Sequence, residues 1–267
     1  MLIPPLELTG LTKVFDTASG PYVAVKDVNV QVLPGEFVCI LGHSGCGKST
    51  VLSIVAGLDE ATYGGVVIDG TEVRGPGPER AVVFQAPCLL PWLTVRQNVD
   101  LARTRRGRQN DASHYLELVG VPDIADELPG GLSLGTQQCV SLARALSLKP
   151  RILLLDEPFA QLDSLTRFSM QDVLLGVCGD PQQIVVMVTH DVDEALYVAD
   201  RLILMTDGPE ATVGDVLRVP FPRPRSRKAV LEHPEYPACY RHVIDFLEHH
   251  VQQFRPSPID EILQGRA

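Results

Sequence analysis

The chain has 267 residues, 45% of them hydrophobic, and its 23 Lys and Arg face 33 Asp and Glu for a formal net charge of −10. That length suits one large domain, or one domain carrying an insert, with a packed core. A pI near 5.1 excludes general nucleic-acid binding, which rests on clustered Lys and Arg.

In chain order, "PLELTGLTKVF" and "VAVKDVNVQVLPGEFVCILG" predict β-rich segments separated by turns. The second ends in a nearly continuous apolar run, "EFVCILG", the pattern of a strand buried on both faces. A helix follows at "KSTVLSIVAGL", then a hairpin in "GGVVIDGTEV" turning at Asp69-Gly70, then a buried strand at "AVVFQ". Residues 86–147 change character: turn-rich "APCLLPWLT" leads into helical patterns without a strand, an inserted helical subdomain. "RILLLDEP" and "QIVVMVTHD" are two further buried strands around the helical "DSLTRFSMQDVLLGV", and "EALYVADRLILM" passes from helix to strand. This alternation predicts an α/β fold with a parallel sheet covered by helices. From about residue 209 the chain is Pro-rich and closes with an amphipathic helix around "YRHVIDFLEHHVQQF". The expected division is a domain over 1–208 and a linker with a short helical tail over 209–267.

Cysteines 39, 46, 88, 139, 178 and 239 show no CxxC spacing, so no zinc or redox pair is expected, and scattered thiols fit a reducing compartment. The start "MLIPPLELTG" is unlike a signal peptide, and no apolar run reaches the ~18–20 residues that span a bilayer. The expectation is a soluble chain able to dock on a membrane protein. Two basic runs, 103–108 and 223–228, read either as solvated loops or as contacts to a partner or to lipid headgroups.

"GHSGCGKST" is Gly42, His43, Ser44, Gly45, Cys46, Gly47, Lys48, Ser49 and Thr50, a match to G-x-x-x-x-G-K-[ST] between a strand and a helix. The glycines let backbone N–H groups curl around a polyphosphate, Lys48 reaches the β and γ phosphates, and the Ser49 hydroxyl ligates Mg²⁺. "RILLLDEP" ends an apolar strand in Asp156, suited to hold Mg²⁺, and Glu157, suited to polarise an attacking water. These are the Walker A and Walker B motifs of a P-loop NTPase.

Three further pieces lie in order around them: Gln85 after "AVVF", "LSLGTQQCVSLARAL" near the end of the insert, and His190 in "VMVTHD". Together the five motifs resemble an ABC-transporter ATP-binding subunit over nearly the whole chain to about residue 208. The resemblance implies an ABC ATPase core with a parallel sheet, an antiparallel β subdomain and the inserted helical subdomain. It implies that Gln85 is a Mg²⁺ and water contact that senses the transmembrane partner, and that His190 meets the γ-phosphate. Asp163 then lies in the loop that crosses to a second cassette, and Phe15 in "TKVF" stacks on adenine. Plain packing is the alternative for Phe15, and Tyr22 a substitute for it.

The family pattern L-S-G-G-Q-x-Q-R reads here Leu132-Ser133-Leu134-Gly135-Thr136-Gln137-Gln138-Cys139. By resemblance, Ser133 and Gly135 face ATP bound to the other subunit. Leu134 in place of glycine is expected to weaken that site if the position needs close approach or left-handed backbone, the latter at about 1–2 kcal/mol. Two arrangements stay open: a non-identical partner cassette that confines the altered segment to one of two ATP sites, or a symmetric homodimer.

"LLPWLTVRQNV" and "MTDGPEATVGDVLRVPFPRPR" are similar to the nitrate, sulfonate, taurine and bicarbonate importer branch, most of all to its nitrate members. The implied function is ATP hydrolysis driving uptake of a small anion, nitrate first, at the cytoplasmic face of the plasma membrane. The implied partners are transmembrane permease subunits, a second ATPase subunit and, indirectly, an extracytoplasmic solute-binding protein, with ATP and Mg²⁺ as ligands. Trp92, the only tryptophan, is read either as a docking residue for the permease or as core of the helical subdomain. The chain is expected to have no room for a larger C-terminal regulatory domain. A hydrolysis-impaired regulatory ABC subunit is the alternative function.

Overall fold

The computed structural model describes residues 5–104, 112–177 and 180–250. Two sheets organise it. The first is antiparallel, in the order β2-β1-β4-β5, built from β1 (Leu6–Thr17), β2 (Gly20–Val32), β4 (Tyr63–Ile68) and β5 (Thr71–Glu72). Asp69 and Gly70 join β4 to β5 with φ of 51° and 77°, the two positive values that a type I′ hairpin turn requires.

The second sheet has the order β10-β9-β3-β8-β7-β6. Its strands β3 (Phe37–Leu41), β6 (Arg80–Val83), β7 (Ile152–Asp156), β8 (Ile184–Thr189) and β9 (Arg201–Met205) run parallel, and β10 (Val213–Arg218) closes one edge antiparallel to β9. The unbroken apolar runs serve two cores at once. Phe37, Cys39 and Leu41 of β3, with Leu153, Leu155, Val185 and Met187, face one core. Val38 and Ile40, with Ile152, Leu154, Val186 and Val188, face the other. Helix α1 (Lys48–Ala56) and the antiparallel sheet pack on the second face. The first face is covered by α2 (Val95–Thr104), α3 (Ala112–Leu118), α4 (Leu134–Ser147), α5 (Ser164–Val177) and α6 (Val192–Val198).

Among the described residues of 86–147 there are only helices and turns, as the patterns predict. The basic run 103–108 falls mostly outside the described residues. The chain after 208 differs from a plain linker. It begins with β10, a member of the main sheet, and continues into α7 (Arg227–Leu231) and α8 (Tyr236–His249). The Phe246 ring of α8 fills the space over Gly214 of β10, where an added Cβ would meet it at 2.6 Å. His242 Nε2 lies 2.6 Å from Asp215 Oδ2, and the Tyr236 hydroxyl donates to Asp193 of α6. The final residues of the predicted amphipathic helix lie outside the described residues.

Candidate functional site

The carboxyl ends of β3, β6, β7 and β8 lie on one side of the parallel sheet, where such sheets bind ligands. Each delivers one predicted residue group. After β3 comes the 42–50 loop. Gly47 opens α1 with φ 87°, and a Cβ there would meet Val25 Cγ1 at 2.4 Å, so only glycine fits. Gly45 is also left-handed, and Ser44 and Gly45 are exposed. Cys46 is buried, and burial holds its thiol above the usual range. Lys48 is 6% exposed, and its Nζ donates to the carbonyls of Gly42 at 2.8 Å and His43 at 2.7 Å. A buried ammonium bonded to its own loop suits a polyphosphate that competes for the same donors. His43 Nδ1 is 2.8 Å from Asp207 Oδ1, which ties the loop to the chain beyond β9.

After β7 come Asp156 and Glu157. The Ser49 hydroxyl donates to Asp156 Oδ1 at 2.9 Å, joining the two predicted metal ligands directly. Burial, with Glu157 adjacent, raises the Asp156 carboxyl above its ordinary range against the Ser49 hydrogen bond and the Lys48 charge. A cation bound there would reverse that balance. Glu157 has φ 45°, left-handed backbone in a non-glycine residue, and its N–H donates to Val188 O at 3.0 Å. Strain of this kind gathers at working positions.

Gln85, two residues past β6, donates from Nε2 to Glu157 Oε2 at 3.3 Å. His190, one residue past β8, holds Nδ1 3.3 Å from Glu157 Oε1. Both carboxylate oxygens are therefore engaged by side chains that sequence separation alone does not join. The turn beneath His190 is braced by Thr189, whose hydroxyl donates to the buried Glu194 at 2.8 Å, and by Asp191, which caps α6 by accepting from Glu194 N at 3.0 Å.

Phe15 and Tyr22 are register partners on β1 and β2, 38% and 40% exposed. Lys13 Nζ sits 5.0 Å from the Phe15 ring centroid. A Cβ added at Gly208 would meet Tyr22 Oη at 3.3 Å and Gly45 O at 3.4 Å, so the Tyr22 hydroxyl borders the loop. Both aromatics are available to a base bound beside it.

Ser133, Gly135 and Asp163 form a second cluster. They line a cavity of about 420 Å³ with Thr136, Thr166 and Ser169 that includes no residue of the 42–50 loop. Ser133 is the N-cap of α4, its Oγ accepting from Thr136 N at 3.1 Å. The Thr166 hydroxyl and backbone N–H hold the exposed Asp163 carboxyl below its usual range. The left-handed backbone that would strain Leu134 is absent. Leu134 is the first residue of a right-handed helix, is absent from the left-handed positions, and points 56% exposed into solvent. The backbone of the capped helix start needs no glycine there.

Trp92 is 71% exposed, which removes the core reading. It sits in a segment pinned by the fully buried Asn98, whose amide bonds Leu90 N and O, Leu93 O and Thr94 O at 2.8–3.1 Å. Asn98 and the Asp207 tie to His43 carry no motif, and sequence reading passes over them.

Residues 25–160 match the family model for the ABC transporter. Over 243 residues the chain is 49% identical to the nitrate import ATP-binding protein NrtD of Synechococcus elongatus, covering 88% of each chain. It is 45% identical over 249 residues to the bicarbonate transport ATP-binding protein CmpD of Synechocystis, covering 91% of this chain and 88% of that one. It is also 46% identical over 244 residues to the nitrate import ATP-binding protein NrtC of Synechococcus elongatus, covering 88% of this chain and 37% of that longer one. The dimeric structure of MJ0796, a bacterial ABC transporter cassette, superposes with a TM-score of 0.74 at 32% identity, over 81% of this chain and 99% of that chain. With the glycine-rich 42–50 loop after β3, paired carboxylates after β7 and a helical insert between them, this chain belongs to the ABC transporter family.

Proposed function

We propose that this chain is the ATP-hydrolysing subunit of an importer for a small anion, nitrate first. The observation that carries the reading is the convergence of Gln85 and His190 on Glu157, next to the Ser49–Asp156 pair and the Lys48 loop. The printed names of NrtD and CmpD support import, of nitrate and bicarbonate respectively.

In this reading the ATP phosphates lie along Gly42–Thr50 and take the Lys48 ammonium from the Gly42 and His43 carbonyls. Ser49, Asp156 and Gln85 would hold Mg²⁺, which would supply neutralisation of the charge developing on the phosphate. Glu157 accepts the proton of the attacking water, Gln85 orients that water, and His190 reaches the γ-phosphate. Phe15 or Tyr22 stacks on the adenine. ADP and inorganic phosphate leave.

Because Ser133 and Gly135 open into a hollow apart from this chain's own loop, they serve ATP held by a second cassette, with Asp163 at the junction. Two different proteins of Synechococcus elongatus carry the name nitrate import ATP-binding protein, which favours a non-identical partner over a homodimer. The exposed Trp92, on a segment fixed by Asn98, suits docking of permease subunits, with the chain peripheral at the cytoplasmic face. The solute-binding protein acts through that permease.

The test is transport by the complex reconstituted in vesicles with ATP inside and the binding protein outside. Nitrate uptake that Glu157→Gln abolishes is expected. Uptake of bicarbonate but not nitrate moves the chain to the other substrate of its relatives. ATP turnover without solute transport, with all subunits assembled, overturns the importer reading.

A further inference from the structure

The turn between β9 and β10 runs alongside the 42–50 loop. A Cβ added at Gly42 would meet Met205 O at 3.1 Å, and one added at Gly208 would meet Gly45 O at 3.4 Å. The turn is closed on itself: Thr206 N–H donates to Thr212 O at 2.9 Å, and Thr212 N–H to Thr206 Oγ1 at 3.0 Å. It is also fastened to β2. Glu210 N–H donates to Val23 O at 2.8 Å, Lys26 N–H to Ala211 O at 2.9 Å, and the Lys26 ammonium to the Glu210 carboxylate at 2.8 Å.

Asp207 reaches from this fastened turn to the loop. It is the more shielded member of its pair, its side chain 15% exposed against 38% for His43. An ionised carboxylate only accepts, so the hydrogen of the 2.8 Å contact sits on His43 Nδ1. The backbone of the same residue holds the Lys48 ammonium: His43 O accepts from Lys48 Nζ at 2.7 Å and from Cys46 N at 3.3 Å. Residue 43 is therefore held from its side chain by Asp207 and from its carbonyl by Lys48.

ATP acts on these two holds differently. A polyphosphate that takes the Lys48 ammonium empties the carbonyl hold and leaves the Asp207 hold in place. The loop contains Gly42, Gly45 and Gly47, and glycine has the most backbone freedom to lose. Ordering such a loop around a ligand weakens binding unless the loop is ordered beforehand.

We propose that Asp207 is a positioning residue for ATP. Acting through His43, it keeps the 42–50 loop in its phosphate-binding shape once Lys48 has left the His43 carbonyl. Its effect falls on affinity for the polyphosphate, and neither on the base nor on the chemistry at Glu157. This inference rests on the reading that ATP lies along the loop.

The test measures displacement of a fluorescent ATP analogue from the purified chain by MgATP and by inorganic tripolyphosphate, and ATP hydrolysis by the assembled complex. The chains compared are the parent, Asp207→Ala, Asp207→Asn, His43→Ala, the His43→Ala/Asp207→Ala double variant and Lys48→Ala. Asp207→Ala is expected to weaken MgATP and tripolyphosphate alike, by about tenfold, as for loss of one hydrogen bond to a charged group. It is expected to raise KM and keep kcat, the signature of lost uniform binding. Asparagine keeps an acceptor for Nδ1 and restores most of the affinity. The double variant is expected to bind no more weakly than His43→Ala, since both changes remove the same bond. Parental affinities in Asp207→Ala, even with a lowered Tm, make the pair a fold contact only and overturn the proposal. Weakened MgATP with parental tripolyphosphate affinity puts the effect at the base and overturns it too. Parental affinity in Lys48→Ala means that the loop is not the phosphate site, and the proposal falls with that reading. Should Asp207→Ala not fold, His43→Ala, which removes the same bond from its more exposed side, decides.

Discussion

His190 and Gln85 grip opposite oxygens of Glu157, each at 3.3 Å, so the carboxylate is aimed by two side chains from two different strands. Glutamine at 157 keeps the volume and removes the carboxylate that the proposed mechanism uses as base. Glu157→Gln is expected to cut ATP turnover about 10²- to 10⁴-fold and leave nucleotide binding intact. Light scattering with MgATP then reports on pairing. A dimer of this chain alone supports the symmetric arrangement, and a monomer that still binds ATP supports a different partner cassette.

Asp156 offers a sign that can be checked. Its folded-state carboxyl is raised, chiefly by burial, so the ionised group costs stability. That cost is fully present above the folded pKa and disappears as pH falls below the unfolded value. Asp156→Asn is therefore expected to raise Tm modestly at pH 7, with the gain shrinking on acidification through the carboxylate range, while ATPase activity is lost. A lower Tm at pH 7 would mean that Ser49 and Lys48 outweigh burial.

Leu134 begins α4 with ordinary helical backbone, so replacing it by glycine relieves nothing. Leu134→Gly is expected to be neutral to slightly destabilising in urea unfolding, since the glycine penalty of about 1 kcal/mol belongs to helix interiors and Leu134 is the first helical residue. Faster hydrolysis in the assembled complex would then report on the side chain's bulk, in the two-cassette arrangement proposed above. A variant more stable than the parent would contradict the geometry.

Asn98 closes four hydrogen bonds on the Leu90–Thr94 turn. Asn98→Leu leaves the Leu90 N–H and several carbonyls without that partner, at a cost of about 2–3 kcal/mol. Trp92 is the lone tryptophan and stands on this turn, so the same variant is expected to change its emission and quenching. Unchanged Trp92 fluorescence would show that the turn holds its shape without Asn98.

What was legible in the sequence was local. The 42–50 loop, the Asp156-Glu157 pair and the Asp69-Gly70 turn are each a few adjacent residues whose backbone demands show in their types. The strands β3, β7 and β8 were legible because burial on both faces leaves apolar residues throughout, broken only at the last positions of β7 and β8, Asp156 and Thr189. The bonds that organise the site are not local. Gln138 meets Phe84 across 54 positions, and His43 meets Asp207 across 164. Neither leaves a periodic or compositional trace. Whether the Leu134 position demands left-handed backbone is not legible in the sequence either; Ser133 caps the helix and Leu134 enters it with ordinary helical backbone.

The pairing of β10 with β9 changes what the end of the chain is worth. Without residues 209–250, β9 would present an open row of N–H and C=O groups flanked by Leu202, Ile203 and Leu204, all buried in the intact chain. A bare, flat, apolar edge is a template for another copy to add a strand. A chain stopped at residue 208 is therefore expected to self-associate into large particles in size-exclusion chromatography, with its nucleotide loop sequence untouched. The worth of the chain's end therefore lies in β10, the strand that closes the β9 edge, rather than in the prolines around it.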